Sequence, residues 1–207
     1  MVRQRVRIRF RKQDDLRWIG HLDLARVWER LFRRAGIPLA MSGGFSPKPK
    51  LQFPSALALG IEGLDEVVDV QIDSDASAEQ LLAVLSPRAP AGLVITTLEV
   101  VPNQGAAQAR AVAYELPIPS GRAAQVQQRL DELLAAPALA VDRGPDRKPL
   151  DLGDFLAEAR LVDGVLRLRM RVTREASIKP SDLLAVLGVD DLLRQGRHLT
   201  RTAVELE

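Results

Sequence analysis

The first dozen residues carry the feature that most constrains the fold. From residue 2 to residue 11 the chain alternates strictly, so that Val6, Ile8 and Phe10 lie on one side of an extended backbone. Because successive side chains of a strand point to opposite faces of its sheet, this pattern predicts a strand with one buried face. The opposite side carries a row of five arginines: Arg3, Arg5, Arg7, Arg9 and Arg11.

The patterns that follow occur in an order that is repeated in the second half of the chain. After the first strand, the sequence predicts a helix over 21–35, an extended piece over 51–60, a strand over 66–72, a helix over 77–85 and a strand over 93–100. The second half predicts a strand over 110–116, a helix over 122–134, a hairpin of 155–162 and 165–173, a helix over 180–187 and a strand over 198–206. Each half therefore has the order β-α-β-β-α-β, with loops over 42–50 and 142–153.

We expect an α+β protein built as two ferredoxin-like domains, residues 1–102 and 109–207. In each domain, an antiparallel sheet carries helices on one face and leaves the other face open, with its first and third strands in the centre. The arginine row then lies in the middle of an open sheet face. A shorter row on the third strand of the second domain has the same setting: Arg167, Arg169 and Arg171.

Charge is distributed unevenly. Residues 1–50 hold 13 basic and 4 acidic residues, whereas residues 51–100 hold 1 basic and 8 acidic residues. The basic quarter indicates either a phosphate-rich partner such as RNA or internal pairing with the acidic quarter. For the arginine row, the pairing alternative is a ladder of salt bridges to Asp69, with Gln71 alongside on the neighbouring strand. Aromatic residues are scarce, which favours contacts to an RNA backbone over base stacking.

The loop over 42–50 is the second candidate for binding. Paired glycines expose backbone N–H groups, and hydroxyls and lysines add donors and charge, a combination that can hold an anion. These residues are Ser42, Gly43, Gly44, Phe45, Ser46, Lys48 and Lys50. The spacing is not that of a phosphate-binding Walker loop, so nothing indicates nucleotide hydrolysis. The alternative is a simple connection rich in Gly and Pro.

Composition excludes several kinds of chemistry. The absence of cysteine rules out disulfides, thiolate catalysis and cysteine-ligated metals, and the two histidines leave little for a metal centre, so we expect no metal and no cofactor. No apolar run is long enough to span a membrane, and the basic N-terminus lacks a signal peptide's apolar core, so we expect a cytoplasmic protein without membrane contact.

His21, at the predicted start of the first helix, is the candidate general acid or base for catalysis. The alternative for His21 is a structural role at that helix end.

Seven stretches of the chain form distinctive motifs: RVRIRF at 5–10, WIGHLDLAR at 18–26, RRAGIPL at 33–39 and MSGGFSPKPKL at 41–51, with LGIE at 59–62, KPSDLL at 179–184 and RTAV at 201–204. Together these motifs resemble those of a family of bacterial radical SAM-linked proteins, DUF2344. The family resemblance implies a radical SAM enzyme as partner. A more distant likeness is to the Cas6/RAMP RNA endonucleases, which are also tandem ferredoxin-like proteins, but their glycine-rich loop lies late in the chain.

Three functions follow as hypotheses. The leading one is an accessory protein without catalysis of its own, which binds RNA or a ribonucleoprotein and presents it to a radical SAM enzyme. The second is a metal-independent endoribonuclease of Cas6-like type that uses His21. The third is an interaction module whose basic face docks an acidic partner protein.

Overall fold

The computed structural model describes residues 4–136, 140–141, 150–173 and 178–207. The chain forms two compact units. The first contains the residues up to Ala109 together with Leu206–Glu207, and the second contains Arg110–Glu205. No helix in the described ranges is both long and apolar enough to cross a membrane.

The first unit is an antiparallel sheet with two α-helices. Its elements are β1 (Gln4–Lys12), a 3-10 helix (Asp14–Trp18), α1 (His21–Arg34), β2 (Leu51–Gln52), β3 (Glu62–Ile72), α2 (Ala78–Leu85), a second 3-10 helix (Ser86–Arg88) and β4 (Leu93–Val101). The strands lie in the order β4-β1-β3-β2, and each neighbouring pair is antiparallel. In this register, Arg7 of β1 lies between Asp69 of β3 and Glu99 of β4.

The alternation of β1 decides which face of this sheet is buried. Val6, Ile8 and Phe10 are fully buried and face α1, where the Trp28 ring meets the Phe10 ring edge-to-face at 5.1 Å between centroids. Helix α1 supplies the matching apolar stripe with Leu24, Val27, Trp28, Leu31 and Phe32. The even-numbered positions of β1 therefore form the core, and its arginines point to the other face.

Local signals set the helix ends in this unit. Helix α1 ends at Arg34, and Gly36 with φ 70° then takes the left-handed conformation that glycine adopts most readily. Helix α2 begins with the predicted capping box, in which the Ser77 hydroxyl accepts from the Gln80 N–H and the Gln80 side chain accepts from the Ser77 N–H.

The second unit has the same kinds of element. They are β5 (Ala109–Pro117), α3 (Ser120–Ala135), β6 (Ala140–Val141), β7 (Leu150–Asp151), α4 (Leu152–Phe155), β8 (Leu156–Val162), β9 (Val165–Arg171), α5 (Pro180–Val186), α6 (Asp191–Arg194) and β10 (Thr200–Leu206). The order of its strands is β10-β5-β9-β8, and β6 pairs with β7 separately. The hairpin turn at Asp163-Gly164 has positive φ at both residues, as the Asp-Gly sequence predicts.

The α+β class is confirmed, and several bounds of the predicted elements are corrected. Only Leu51–Gln52 of the extended piece predicted over 51–60 pairs as a strand, whereas β3 begins four residues before the predicted Glu66. Part of the predicted loop over 142–153 is instead β7 and the start of α4; residues 142–149 lie outside the described residues.

Candidate nucleic-acid interface

The described arginines of the β1 row lie on the sheet face opposite the core, but Arg5 and Arg7 are paired internally. Arg5 donates to Asp69 Oδ2 from Nε at 2.9 Å and from Nη2 at 2.5 Å. Arg7 donates to the same carboxylate, from Nε to Oδ1 at 2.9 Å and from Nη2 to Oδ2 at 3.1 Å. The Arg5 and Asp69 side chains are only 7% and 4% exposed. One buried carboxylate thus compensates two guanidinium groups.

Segment 103–106 explains why Arg5 is buried although it lies on the face away from the helices. Arg5 Nη1 donates to the carbonyl oxygens of Gln104 and Gly105, just after β4 ends. The guanidinium therefore joins β3 to the segment that follows β4. Its donors are used within the protein, which makes Arg5 a structural residue of this face.

Ionisation of these groups follows from their pairing. Burial opposes the charge on Asp69, but hydrogen bonds from Arg7 and Arg5 outweigh it and hold the pKa of this carboxyl below its usual value. The hydrogen bond to Asp69 likewise raises the pKa of Arg7. The Asp69 carboxylate and the Arg7 guanidinium are therefore charged at neutral pH.

The remaining members of the row differ from one another. Arg9 Nη1 forms an ion pair with Asp65 at 2.5 Å, and both side chains are about one-third exposed. Arg11 is exposed near the end of the strand, and Arg3 lies outside the described residues. Of the two alternatives for the row, the salt-bridge ladder describes Arg5, Arg7 and Arg9, with Asp65 as an additional acceptor.

The shorter row on β9 is also paired. Arg167 Nε lies 3.1 Å from Glu115 Oε1, and Arg169 Nη2 lies 2.6 Å from Glu205 Oε2. Arg171 donates to the carbonyl oxygens of Gly153, Asp154 and Leu156. Hydrogen bonding by Arg169 lowers the pKa of Glu205. These side chains are partly exposed, unlike Arg5, but acidic neighbours compensate Arg167 and Arg169.

The predicted loop forms a basic hairpin, residues 40–50, which protrudes beside the end of β3. Its two arms meet through Ser42 N–H to the Lys48 carbonyl at 2.8 Å and Lys50 N–H to the Ala40 carbonyl at 2.8 Å. The Ser42 hydroxyl accepts from the Lys48 N–H at 2.9 Å. The base is anchored to β3, since Ala40 N–H donates to the Gln71 carbonyl and Gln71 N–H donates to the Lys50 carbonyl.

The tip of the basic hairpin is exposed and uncompensated. Residues 43–48 are all exposed, and the Phe45 side chain has no burial at all. Gly44 has φ 102°, a conformation that other residues rarely adopt, so this tip requires glycine. No acidic residue occurs between Leu39 and Gln52, and no described residue forms an ion pair with Lys48 or Lys50.

Two hollows flank the basic hairpin within the first unit. A groove of about 440 Å³ lies between its base and helix α1, lined by Glu29, Arg33, Gly36, Ile37, Pro38, Leu39, Met41 and Pro49. On the open sheet face, a polar cleft of about 470 Å³ is lined by Arg5, Lys50, Leu51, Gln52, Asp69, Gln71, Asn103, Gly105 and Ala106. Sequence reasoning missed the amides of this polar cleft; the only signal was the position of Gln71 opposite the core in an alternating strand.

His21 is separate from these basic groups in its contacts. It is the first residue of α1, its side chain is exposed, and its ring packs edge-to-face on Phe53 at 4.9 Å between centroids. Within the described ranges, no acidic or basic side chain forms an ion pair or hydrogen bond with the imidazole. The structure thus supplies no charged partner to activate His21, and its contact with Phe53 is a packing contact.

Among the comparisons with known proteins, one identifies a family. A family model described as "Uncharacterized protein conserved in bacteria (DUF2344)" matches residues 5–180. No curated protein matches the chain. Two solved structures align over nearly the whole length. An unknown protein from Galdieria sulphuraria has 10% identity and a TM-score of 0.32, with 100% of this chain and 99% of that chain covered.

The other structure is described as a "putative glycine cleavage system transcriptional repressor". It has 13% identity and a TM-score of 0.29, with 97% of each chain covered. At TM-scores this low, neither similarity carries an argument about fold or function.

Proposed function

The chain belongs to the DUF2344 family of bacterial proteins, and we propose that it is an RNA-binding accessory protein, which holds an RNA or ribonucleoprotein substrate for a radical SAM enzyme. The radical SAM partner is implied by the family resemblance. The RNA ligand is inferred from the surface of the first unit. The protein itself contributes binding and presentation, while the partner carries out the reaction.

The proposal includes a tandem ferredoxin-like architecture. Support comes from the strand order, which is β4-β1-β3-β2 in the first unit and β10-β5-β9-β8 in the second. Both correspond to the fourth, first, third and second strands of a β-α-β-β-α-β unit. In the first unit, the buried residues of α1 and α2 join the apolar side of β1 in one core, which leaves the arginine side of the sheet uncovered by helices.

One observation carries the RNA-binding proposal: the basic hairpin presents an exposed aromatic ring at its tip together with two uncompensated lysines, Lys48 in the tip and Lys50 at the base. An exposed phenylalanine gains nothing for the fold, but its ring can stack on an unpaired base. The two lysines can contact phosphates of the same strand. Arg33 lines the groove between the base of the basic hairpin and helix α1, and it adds a further cation next to the hairpin.

An acidic protein partner would meet the lysines equally well but does not need the ring at the tip. Stacking therefore distinguishes the two partners. In the arginine row, which gave the first reason to expect RNA, Arg5, Arg7 and Arg9 form ion pairs with Asp69 and Asp65 within the protein. The basic hairpin takes its place as the proposed contact surface.

Fluorescence anisotropy with labelled single-stranded RNA over a salt series tests the proposal. We expect Phe45→Ala to weaken binding about 5- to 150-fold, because stacking contributes about 1–3 kcal/mol per base. Lys48→Ala should make the slope of log affinity against log salt shallower by about 0.7, the change expected for one lost phosphate contact to a single strand.

Matched controls come from the second unit. Leu134→Ala removes an exposed apolar side chain and Arg197→Ala removes an exposed cation, and both should leave RNA affinity unchanged. Binding that is insensitive to Phe45→Ala, or absent in the wild type, contradicts the proposal. A complex with the radical SAM partner that survives ribonuclease and is lost in Lys48→Ala would assign the basic hairpin to a protein instead. Cleavage of the RNA that disappears in His21→Ala would support the endoribonuclease hypothesis.

A further inference from the structure

The polar cleft on the open face of the first unit differs from the rest of that face. Elsewhere the arginines and acids compensate one another, whereas the polar cleft carries three amide side chains: Gln52, Gln71 and Asn103. None of these amides hydrogen-bonds to another described residue. Each has donors and an acceptor available to a ligand.

The floor of the polar cleft is preorganised. Arg5 and Asp69 form a buried ion pair beneath it, and Arg5 also holds the backbone at Gln104 and Gly105. On the other side, the backbone of Gln71 is bonded to Ala40 and Lys50. Asn103 and Gln71 are therefore carried by segments whose separation is fixed by hydrogen bonds, and the hollow does not depend on a ligand to form.

Size and charge narrow the class of ligand. A volume of about 470 Å³ lies within the usual range of about 300–1,000 Å³ for small-molecule sites. The charged lining residues are Arg5, Lys50 and Asp69, which favours a ligand with negative charge. Two or more amides around one hollow suit a flat group with mixed donors and acceptors along its edge, and side-chain amides pair with nucleic-acid bases in this way.

Lys50 connects the polar cleft to the basic hairpin. It is the last residue of that hairpin, it lines the polar cleft, and its side chain is exposed. A strand whose base stacks on Phe45 at the tip would have its backbone directed along Lys48 and Lys50. Another unpaired base of the same strand can then enter the polar cleft, which Lys50 lines.

We infer that the polar cleft binds one unpaired nucleotide of the RNA, with its base held by Gln52, Gln71 and Asn103 and its phosphate by Lys50; this rests on the proposed function. The basic hairpin then supplies affinity for any sequence, and the polar cleft supplies a preference among bases. The groups of the polar cleft would recognise the same base and phosphate in a nucleotide of an RNA strand and in a free nucleotide.

The test measures binding of short homopolymeric RNAs of each of the four bases, and of the four nucleoside monophosphates, to the full chain. We expect wild type to prefer one homopolymer about 10-fold over at least one other. Gln71→Leu, which keeps the size of the side chain but removes its hydrogen bonds, should abolish this preference by weakening the favoured RNA about 10-fold. Gln125→Leu, at an exposed glutamine of α3, should leave the preference intact.

The outcomes separate the inference from the proposed function. Equal affinity of wild type for all four homopolymers, or a preference that survives in both Gln71→Leu and Gln52→Leu, overturns the inference while leaving RNA binding in place. Absence of RNA binding overturns both. Binding of a monophosphate without any RNA binding would show a site for a free nucleotide and likewise overturn the inference. Circular dichroism and thermal unfolding check that the variants fold.

Discussion

Strands β1 and β9 show how one sequence pattern leads to two different electrostatic arrangements. Both alternate arginine with apolar residues, and both place an acid directly across from an arginine: Asp69 opposite Arg7, and Glu115 opposite Arg167. Opposite β1, Asp69 of β3 is almost fully buried and also pairs with Arg5. Opposite β9, the Glu115 side chain of β5 is 39% exposed and lies 3.1 Å from one arginine.

The difference teaches that a row of like charges says little about function until the surrounding chain is known. Pairing in a partly buried site costs desolvation of every charge, so each partner becomes necessary once the other is present. Pairing at an exposed site is weak and easily replaced by water and salt. The arginines of β1 are therefore expected to be structural to a degree that those of β9 are not.

Asp69→Asn is the substitution with the largest expected effect. It leaves Arg5 and Arg7 without a compensating charge, and removal of one partner from a buried pair typically costs about 3–5 kcal/mol. The matched substitution Glu115→Gln removes an exposed partner and should cost about 0–1 kcal/mol. Denaturant unfolding of both variants at neutral pH measures the two losses. Equal losses would mean that burial does not distinguish the strands.

Lowering the pH should show the same difference between Asp69 and Glu115, with a smaller change in the free energy of unfolding. The pKa of Asp69 lies below its usual value in the folded protein. At pH values between this lowered pKa and about 3.9, the usual pKa of aspartate, the unfolded chain therefore binds more protons than the folded protein. Stability from this group is thus fully present above that range and is lost as pH falls through the folded pKa.

The measurement is the unfolding free energy of wild type and Asp69→Asn at a series of pH values from neutral to about 3. We expect the difference between the two proteins to shrink as pH falls, because protonated Asp69 no longer compensates its arginines. Glu115→Gln should follow the wild-type curve closely. A difference that stays constant down to the lowest pH would indicate that Asp69 acts through its shape rather than its charge.

The smallest expected effect is the salt dependence of the coupling energies of the two ion pairs. Double-mutant cycles for Arg7 with Asp69 and for Arg167 with Glu115 give two coupling energies. The exposed pair should couple by about 0.2–1 kcal/mol and lose most of this at about 1 M salt, where the screening length falls to about 3 Å. The buried pair should keep most of its coupling. A reversed order of salt sensitivity would refute the assignment of β1 as the structural strand.

Much of the fold was accessible from sequence because its signals are local. The alternation of β1 fixed its buried face through Val6, Ile8 and Phe10, and Ser77 with Gln80 predicted the start of α2. Gly36 likewise predicted the end of α1, because the φ of 70° that follows the helix is a conformation that a single glycine adopts readily. The piece over 51–60 was harder, because whether an extended segment becomes a strand depends on a partner elsewhere in the chain.

The candidate site was predicted in part. The basic hairpin could be read from Gly43, Gly44 and the lysines, since turn residues and charge are visible in a few adjacent positions. The pairing of Arg5 with Asp69 was only one of two alternatives for the arginine row, because the two residues are 64 positions apart and the sequence could not decide whether they meet. The polar cleft was not predicted, because its lining residues come from four separate segments of the chain.

By itself, then, the sequence determined which residues form strands and helices, which side of each is apolar, and where the chain turns. These properties follow from the periodicity and backbone preferences of short stretches. Only the tertiary structure decided which charges remain available to a partner. Availability depends on what lies within a few ångströms of each guanidinium or ammonium group. In this protein Asp69 and Asp65 form ion pairs with Arg5, Arg7 and Arg9, whereas no described residue forms an ion pair with Lys48 or Lys50.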